Sequence, residues 1–276
     1  MNENIIENIS IDLNIFDNSI MTSITNNGKV DGLNEAYAIW EEANNTIESS
    51  DGNKEKLNQG FLSLKRAFNV TSIELKNNLA INNIMYSSKN KKRDFLSDLE
   101  FFEITKTLTI SKYLKIRNLI EHDNHLPPSI EDCMSLSEYI WSYIRNVTNI
   151  LCYFTEYLGF INNEDSKSMI YFDYVLEGEY KNYYPHLYVL GIVESKYISF
   201  IERKNSIKIN KIRLLNKSDV QKLPELYNYS YLIDGLDHII FKGEILDQDR
   251  LANYVKHSIL PEYGGINEHS IKQIFS

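Results

Sequence analysis

The hydrophobic pattern changes period once along this chain, and that change limits the fold more than any other feature. Up to about residue 160, apolar residues recur at three- and four-residue spacing, as on one face of a helix. From Ser168 onward they fall in short runs rich in Ile, Val, Tyr and Phe, the pattern of strands. Helices first and strands afterward predict an α+β protein. With 43% hydrophobic and 24% charged residues over 276 positions, the chain has globular composition, which excludes disorder, collagen-like repeats and coiled coil.

The helical part divides into four. Leu33, Ala36, Tyr37, Trp40, Ala43 and Ile47 form one stripe, which predicts a helix over 31–49 starting at Asp31. Leu57, Phe61, Leu64, Phe68, Leu75 and Leu79 mark a second over 54–79. A third is expected over 94–121. A fourth follows Pro127-Pro128 over 129–158, with Ser129 as cap, Glu131 and Asp132 in the first turn, and Gly159 as the stop. Together these predict an antiparallel bundle. Residues 1–28 are aperiodic and Asn-rich, as in an extended arm or a short strand. Strands are expected in 169–176, 186–193, 196–201, 207–214 and 238–241, with a tight hairpin at Glu194-Ser195 and helices over 247–260 and 266–275. The expected domains are an arm (1–30), a helical bundle (31–160) and a β-rich domain (161–276), broken at Asn162-Asn-Glu-Asp165.

The formal charge is −9, so no general basic coat exists and nucleic acid would need a local patch. The first 160 residues hold 15 basic and 22 acidic side chains, a net of −7. Two cysteines, Cys133 and Cys152, cannot make a disulfide framework or a four-cysteine zinc site, which fits a reducing cytoplasm. The acidic N-terminus is unlike a signal peptide, and no run approaches the ~20 apolar residues of a membrane helix, so no membrane partner is expected. No phosphate-cradling glycine loop, serine-hydrolase elbow or HExxH zinc motif occurs.

The densest polar cluster is Arg117-Asn-Leu-Ile-Glu-His122-Asp-Asn-His125, followed by Leu126 and two prolines. An Arg with a His suits phosphodiester chemistry, since the cation stabilises an anionic phosphorane and His moves a proton near neutral pH. Five residues apart on an ideal helix, the two lie about 140° apart around the axis. A loosening at Glu121 would let His122 fold back toward Arg117. The same residues also suit a plain helix C-terminus, where His122 and His125 meet the dipole and Arg117 faces water. A metal site of His122, Asp123 and His125 would need three ligands within four residues, a strained set, so neither metal nor cofactor is expected.

Residues 116–122, Ile-Arg-Asn-Leu-Ile-Glu-His, resemble the motif of the HEPN superfamily of helical-bundle ribonucleases and nucleotide-binding proteins: Arg, a polar residue often Asn, then His after four to six intervening residues. The order of two long helices, the motif closing the third and a Pro-initiated fourth is also similar, so the resemblance covers roughly 31–160. It implies a metal-independent endoribonuclease in which a substrate 2′-OH attacks the adjacent phosphate. His122 would transfer the proton, Arg117 would stabilise the phosphorane and Asn118 would orient them. It further implies a homodimer that lines one cleft with two Arg/His pairs, and a toxin or antiphage defence role with an antitoxin or defence-system partner protein. The alternative is an inactive HEPN-like scaffold that binds a partner protein or nucleotide.

Lys106, Tyr113 and Arg117 share a helix face at i, i+7 and i+11, with Lys112 and Lys115 alongside, which makes Lys106, Lys112, Tyr113 and Lys115 candidate RNA contacts or a solvated face. Trp40, Trp141, Cys133 and Cys152 read as core residues. Tyr171, Phe172, Tyr174, Tyr188 and Tyr197 read as sheet core or a base-stacking surface, and His186, His238, His257 and His269 carry no pattern.

Overall fold

The structure, a computed structural model, describes residues 5–25, 31–87, 94–123, 129–162, 168–179, 182–201, 203–216, 219, 237–259 and 266–275. It divides into two compact units, one of residues 26–82 and 89–154, the other of residues 1–25, 83–88 and 155–276.

The first unit is helical. Helix α1 spans Asp31–Glu48 and α2 spans Lys54–Leu79, close to their sequence expectations. Asn53 starts α2 by accepting from the Glu55 and Lys56 amides. Gly60 lets α1 approach, because a Cβ there would stand 2.5 Å from Ile47 Cγ1. Helix α5, Ile130–Tyr153, is capped by Ser129 and packs on both earlier helices. Trp40 Nε1 donates to the Ser137 carbonyl, and the Ser137 hydroxyl donates to Asn44. Phe68 and Tyr143 rings lie 4.9 Å apart. Trp141, expected in the core, instead sits on the exposed side of α5 beneath Arg145.

The expected 94–121 helix is two helices, α3 (Phe95–Phe101) and α4 (Leu108–Asp123). Glu103 takes a left-handed conformation, φ 57°, and the Ile104 amide donates back to Leu99. Buried Phe102 and Ile104 then seal a hydrophobic C-terminal turn. Helix α5 holds this corner: Asn146 Nδ2 donates to the Ile104 carbonyl and the Tyr139 hydroxyl to the Lys106 carbonyl. Tertiary hydrogen bonds to α5 thus hold a corner where the sequence predicts one continuous helix.

The second unit is an eight-stranded antiparallel sheet. Its strands are β1 (Ile5–Asp12), β2 (Ser19–Thr25), β3 (Thr155–Asn162), β4 (Ser168–Glu179), β5 (Asn182–Glu194), β6 (Ile198–Ser199), β7 (Ser206–Leu214) and β8 (His238–Ile245). Their order is β2-β3-β4-β5-β8-β7-β1-β6. The N-terminal segment is therefore part of the sheet, so of the arm and the short strand expected there, strand is what forms. The chain leaves this sheet after β2 and returns at β3, and these two strands pair.

The α5 stripe ends at Tyr153, and residues 155–162 are strand, so the expected boundary at 160/161 falls inside β3. Gly159 is a strand residue there, not a helix stop. A Cβ at Gly159 would lie 2.3 Å from Tyr171 Cε1 and 2.7 Å from Thr22 Oγ1, so the glycine seats the Tyr171 ring. Gly159→Ala is expected to cost about 1–3 kcal/mol by overpacking, read as a lower urea midpoint. An unchanged midpoint would mean the ring moves aside freely. The Glu194-Ser195 hairpin is also absent: β5 pairs with β4 and β8, whereas β6 pairs with β1, after a 3₁₀ turn at Ser195–Tyr197.

Strand order requires the sheet to curl. Strands β1 and β2 are six positions apart, roughly 29 Å if flat. Residues 13–18 alone join them, and the 3₁₀ turn Leu13–Phe16 rises only about 2 Å per residue, so they reach roughly 20 Å. That turn buries Leu13, Ile15 and Phe16. Helices α6 (Gln248–Ile259) and α7 (Glu268–Phe275) add Tyr254 and Phe275 to the same core. Phe172 sits at its centre, stacked on Phe275 at 5.2 Å and near Phe16, Phe160 and Tyr254 at 6.3 Å each. Residues 84–87 join this unit as well, with the Ser87 amide donating to Asp249 at the start of α6.

Candidate functional site

Helix α4 carries the Arg117–His122 motif, and its first turns are fixed by named contacts. Glu100 of α3 accepts from the Thr107 amide and hydroxyl at 3.1 and 2.6 Å, just before α4 begins. The Thr107 bonds hold the Glu100 carboxyl below its ordinary range. Tyr113 is buried, 6.1 Å from Phe61 of α2, and its hydroxyl donates to Asp132 of α5. Burial first, and then Asp132, pushes the Tyr113 phenol up. Lys112 pairs with the same carboxylate at 3.3 Å. Burial, with help from Asp132, pushes the neighbouring Cys133 thiol up to about 11, consistent with an inert core cysteine.

The helix does not loosen at Glu121; it runs unbroken to Asp123. Positions 117 and 122 are therefore about 140° apart around its axis. The side chains of Arg117, Asn118 and His122 lie outside the described residues. Of the candidate RNA contacts, Tyr113 is a core side chain and Lys112 is committed to an ion pair, while Lys106 and Lys115 are exposed. The four do not make one open basic face.

A second cluster lies on the sheet face opposite Phe172, and of its residues the sequence points to Tyr171 and Tyr188 alone, as sheet core or a stacking surface. Cross-strand register aligns Tyr157, Asp173, Tyr188 and Glu244 in one row over β3, β4, β5 and β8. The next row holds Gly159, Tyr171, Leu190 and Lys242. Tyr157 stacks on Tyr171 at 5.1 Å, Tyr188 stacks on His186 at 5.9 Å, and Lys242 Nζ lies 5.3 Å from the Tyr188 ring centre. A small cleft lies between Tyr157, Tyr171, Asp173, Tyr188 and Lys242. His186 Nδ1 meets Glu244 Oε1 at 2.6 Å, and Lys211 Nζ meets Glu244 Oε2 at 2.6 Å. The Tyr188 hydroxyl donates to Glu177 at 2.5 Å. Burial, then Glu177, pushes the Tyr188 phenol well up. These contacts fix the His186 ring, with its other nitrogen 3.9 Å from Glu177.

Burial raises the affinity of Glu244 for a proton, but the bonds from Lys211 and His186 outweigh it and hold the carboxyl below its ordinary range. A lowered carboxylate contributes stability above its unfolded pKa, and that contribution fades as pH falls through the folded value. Glu244→Gln is therefore expected to cost about 1–3 kcal/mol at neutral pH. The gap to wild type should close below about pH 4. Urea titrations at several pH values check this, and a gap that stays constant would sink it.

Nothing in the sequence marks the His186–Glu244 pair, since Glu244 is 58 residues from His186 and only the register joins them. Among the described residues, no group of three or more His, Cys, Asp or Glu is placed to hold a metal ion, and no helix is long and apolar enough to cross a membrane. Comparison with protein-family models, curated proteins and solved structures finds no match.

Proposed function

We propose that the helical unit is a metal-independent endoribonuclease of HEPN type, acting in the cytoplasm as a toxin or antiphage effector. The observation that carries this reading is the Arg117-Asn118…His122 motif on the last two turns of α4. It lies in a compact helical unit whose next helix starts at a Ser129 cap after two prolines. His122 moves the proton between the 2′-OH and the leaving oxygen, Arg117 stabilises the phosphorane and Asn118 orients the phosphate. Positions 117 and 122 are about 140° apart on one straight helix, so a cleft using both is best completed by a second copy, and the active form is a homodimer.

The test is direct. Purified protein in EDTA should cut cellular RNA and leave 2′,3′-cyclic phosphate and 5′-OH ends, while sedimenting as a dimer. Failure to cut RNA, with and without products of neighbouring genes, would move the reading to an inactive HEPN-like module that binds a partner protein or nucleotide. One observation favours that second reading: Tyr113 and Lys112 are spent on packing and on Asp132, which leaves fewer side chains for RNA.

A further inference from the structure

The acidic chain contains two strongly basic stretches, residues 89–93 and the longer segment 195–214. Residues 195–214 hold six basic residues, Lys196, Arg203, Lys204, Lys208, Lys211 and Arg213, against one acid, Glu202, a local net of +5 in a chain of −9. The segment includes the β6–β7 connection, and its tip is apolar. Phe200 is 60% exposed and Ile201 is 78% exposed, adjacent in sequence and both uncovered. Contiguous exposed apolar surface favours contact with an apolar partner.

The tip is held outward by an ordered base. The Ile201 amide donates to the Ser199 hydroxyl, the Ser206 hydroxyl to the Arg203 carbonyl, and the Leu13 amide to the Asn205 carbonyl. Asn205 turns the chain with φ 65°. Two cations of the segment are already matched, Lys196 with Glu194 and Lys211 with Glu244. Arg203 and Lys204 are exposed beside the tip and have no ion-pair partner among the described residues.

We infer that this loop docks the sheet unit on an anionic lipid bilayer, with Phe200 and Ile201 entering the acyl boundary and Arg203 and Lys204 meeting lipid phosphates. Charge complementarity argues for an anionic partner, because this segment is net positive in a chain that is net negative. The apolar tip selects lipid over nucleic acid. Phe200 could stack on a base, but Ile201 has no π face to offer one, whereas the acyl boundary of a bilayer buries both side chains. Surface docking needs no spanning helix, and the inference does not rest on ribonuclease activity.

The test uses the full chain with phosphatidylcholine vesicles, with and without about 30% phosphatidylglycerol, at low and high salt. Anionic vesicles should sediment the protein at least about 10-fold better than neutral ones, and high salt should reverse most of that. Phe200→Ser with Ile201→Ser, and separately Arg203→Glu with Lys204→Glu, should each weaken binding by about 10-fold or more, with far-UV spectra unchanged. In Phe200→Trp, vesicle binding should shift the added indole emission to the blue, relative to wild type, and brominated lipid should quench it. Absence of anionic-vesicle binding, or a bound Phe200→Trp protein with unshifted, unquenched emission, overturns the proposal. Single-stranded RNA bound through this patch, with no vesicle binding, also overturns it and assigns the surface to RNA.

Discussion

Arg117→Ala and His122→Ala should each lower RNA cleavage by about 10²-fold or more, the scale for losing a positioned charge stabiliser or proton-transfer group. Both act in one transition state, so the double variant should be little worse than the worse single one. Neither change should harm the fold: alanine has the highest helix propensity, and both positions lie within the unbroken α4. His125→Ala should matter less, because it lies beyond the matching motif and just before the prolines. Lys112→Ala is the informative control. Its ammonium is already paired with Asp132, so cleavage should fall only a few-fold and salt dependence should change little. Full activity in Arg117→Ala or His122→Ala would remove the ribonuclease reading of this motif.

How much of this molecule could be read in advance depended on the kind of signal each part carries. Helices α1 and α2 were legible to within a residue or so because one face is buried and the other wet, and because Asp31 is of capping type. The C-terminal end of α5 was not. Leu151, Phe154 and Leu158 continue the three- and four-residue spacing, yet residues 158–162 are buried on both sheet faces, so alternation disappears and a strand mimics a helix stripe. Strands β1 and β2 were obscured because their short runs show no clear alternation, and in β2 Ile20 and Met21 are both exposed, although the residue types suit strands. The motif at 117–122 was legible because its residues are close in sequence. The Tyr157–Asp173–Tyr188–Glu244 row was not, since its members come from four strands and meet only through register. The basic, apolar β6–β7 tip stood between these cases. Its charges are plain in the sequence, but only exposure shows that Phe200 and Ile201 leave the core.

Phe172→Ala should destabilise the sheet unit by about 3–5 kcal/mol, the usual cost of deleting a buried aromatic ring. The side chain is fully buried and touches four other rings from the 3₁₀ turn, β3, α6 and α7. Those rings come from separate elements, so they cannot close over the cavity without moving the elements themselves, which places the cost at the upper part of the range. With a urea slope of about 2 kcal/mol/M, the midpoint should fall by roughly 1.5–2.5 M. The probe has to be chosen with care: Trp40 and Trp141 both belong to the helical unit, so indole fluorescence does not report on the sheet. Hydrogen exchange at the β4 and β5 amides does, and these should lose protection by several orders of magnitude while α1 and α2 keep theirs. Tyr184→Ala on β5, where the ring is 58% exposed, should stay within about 0.5 kcal/mol of wild type. If β4 and β5 exchange alike in Phe172→Ala and wild type, the five rings do not form the core that holds the curled sheet to its helices.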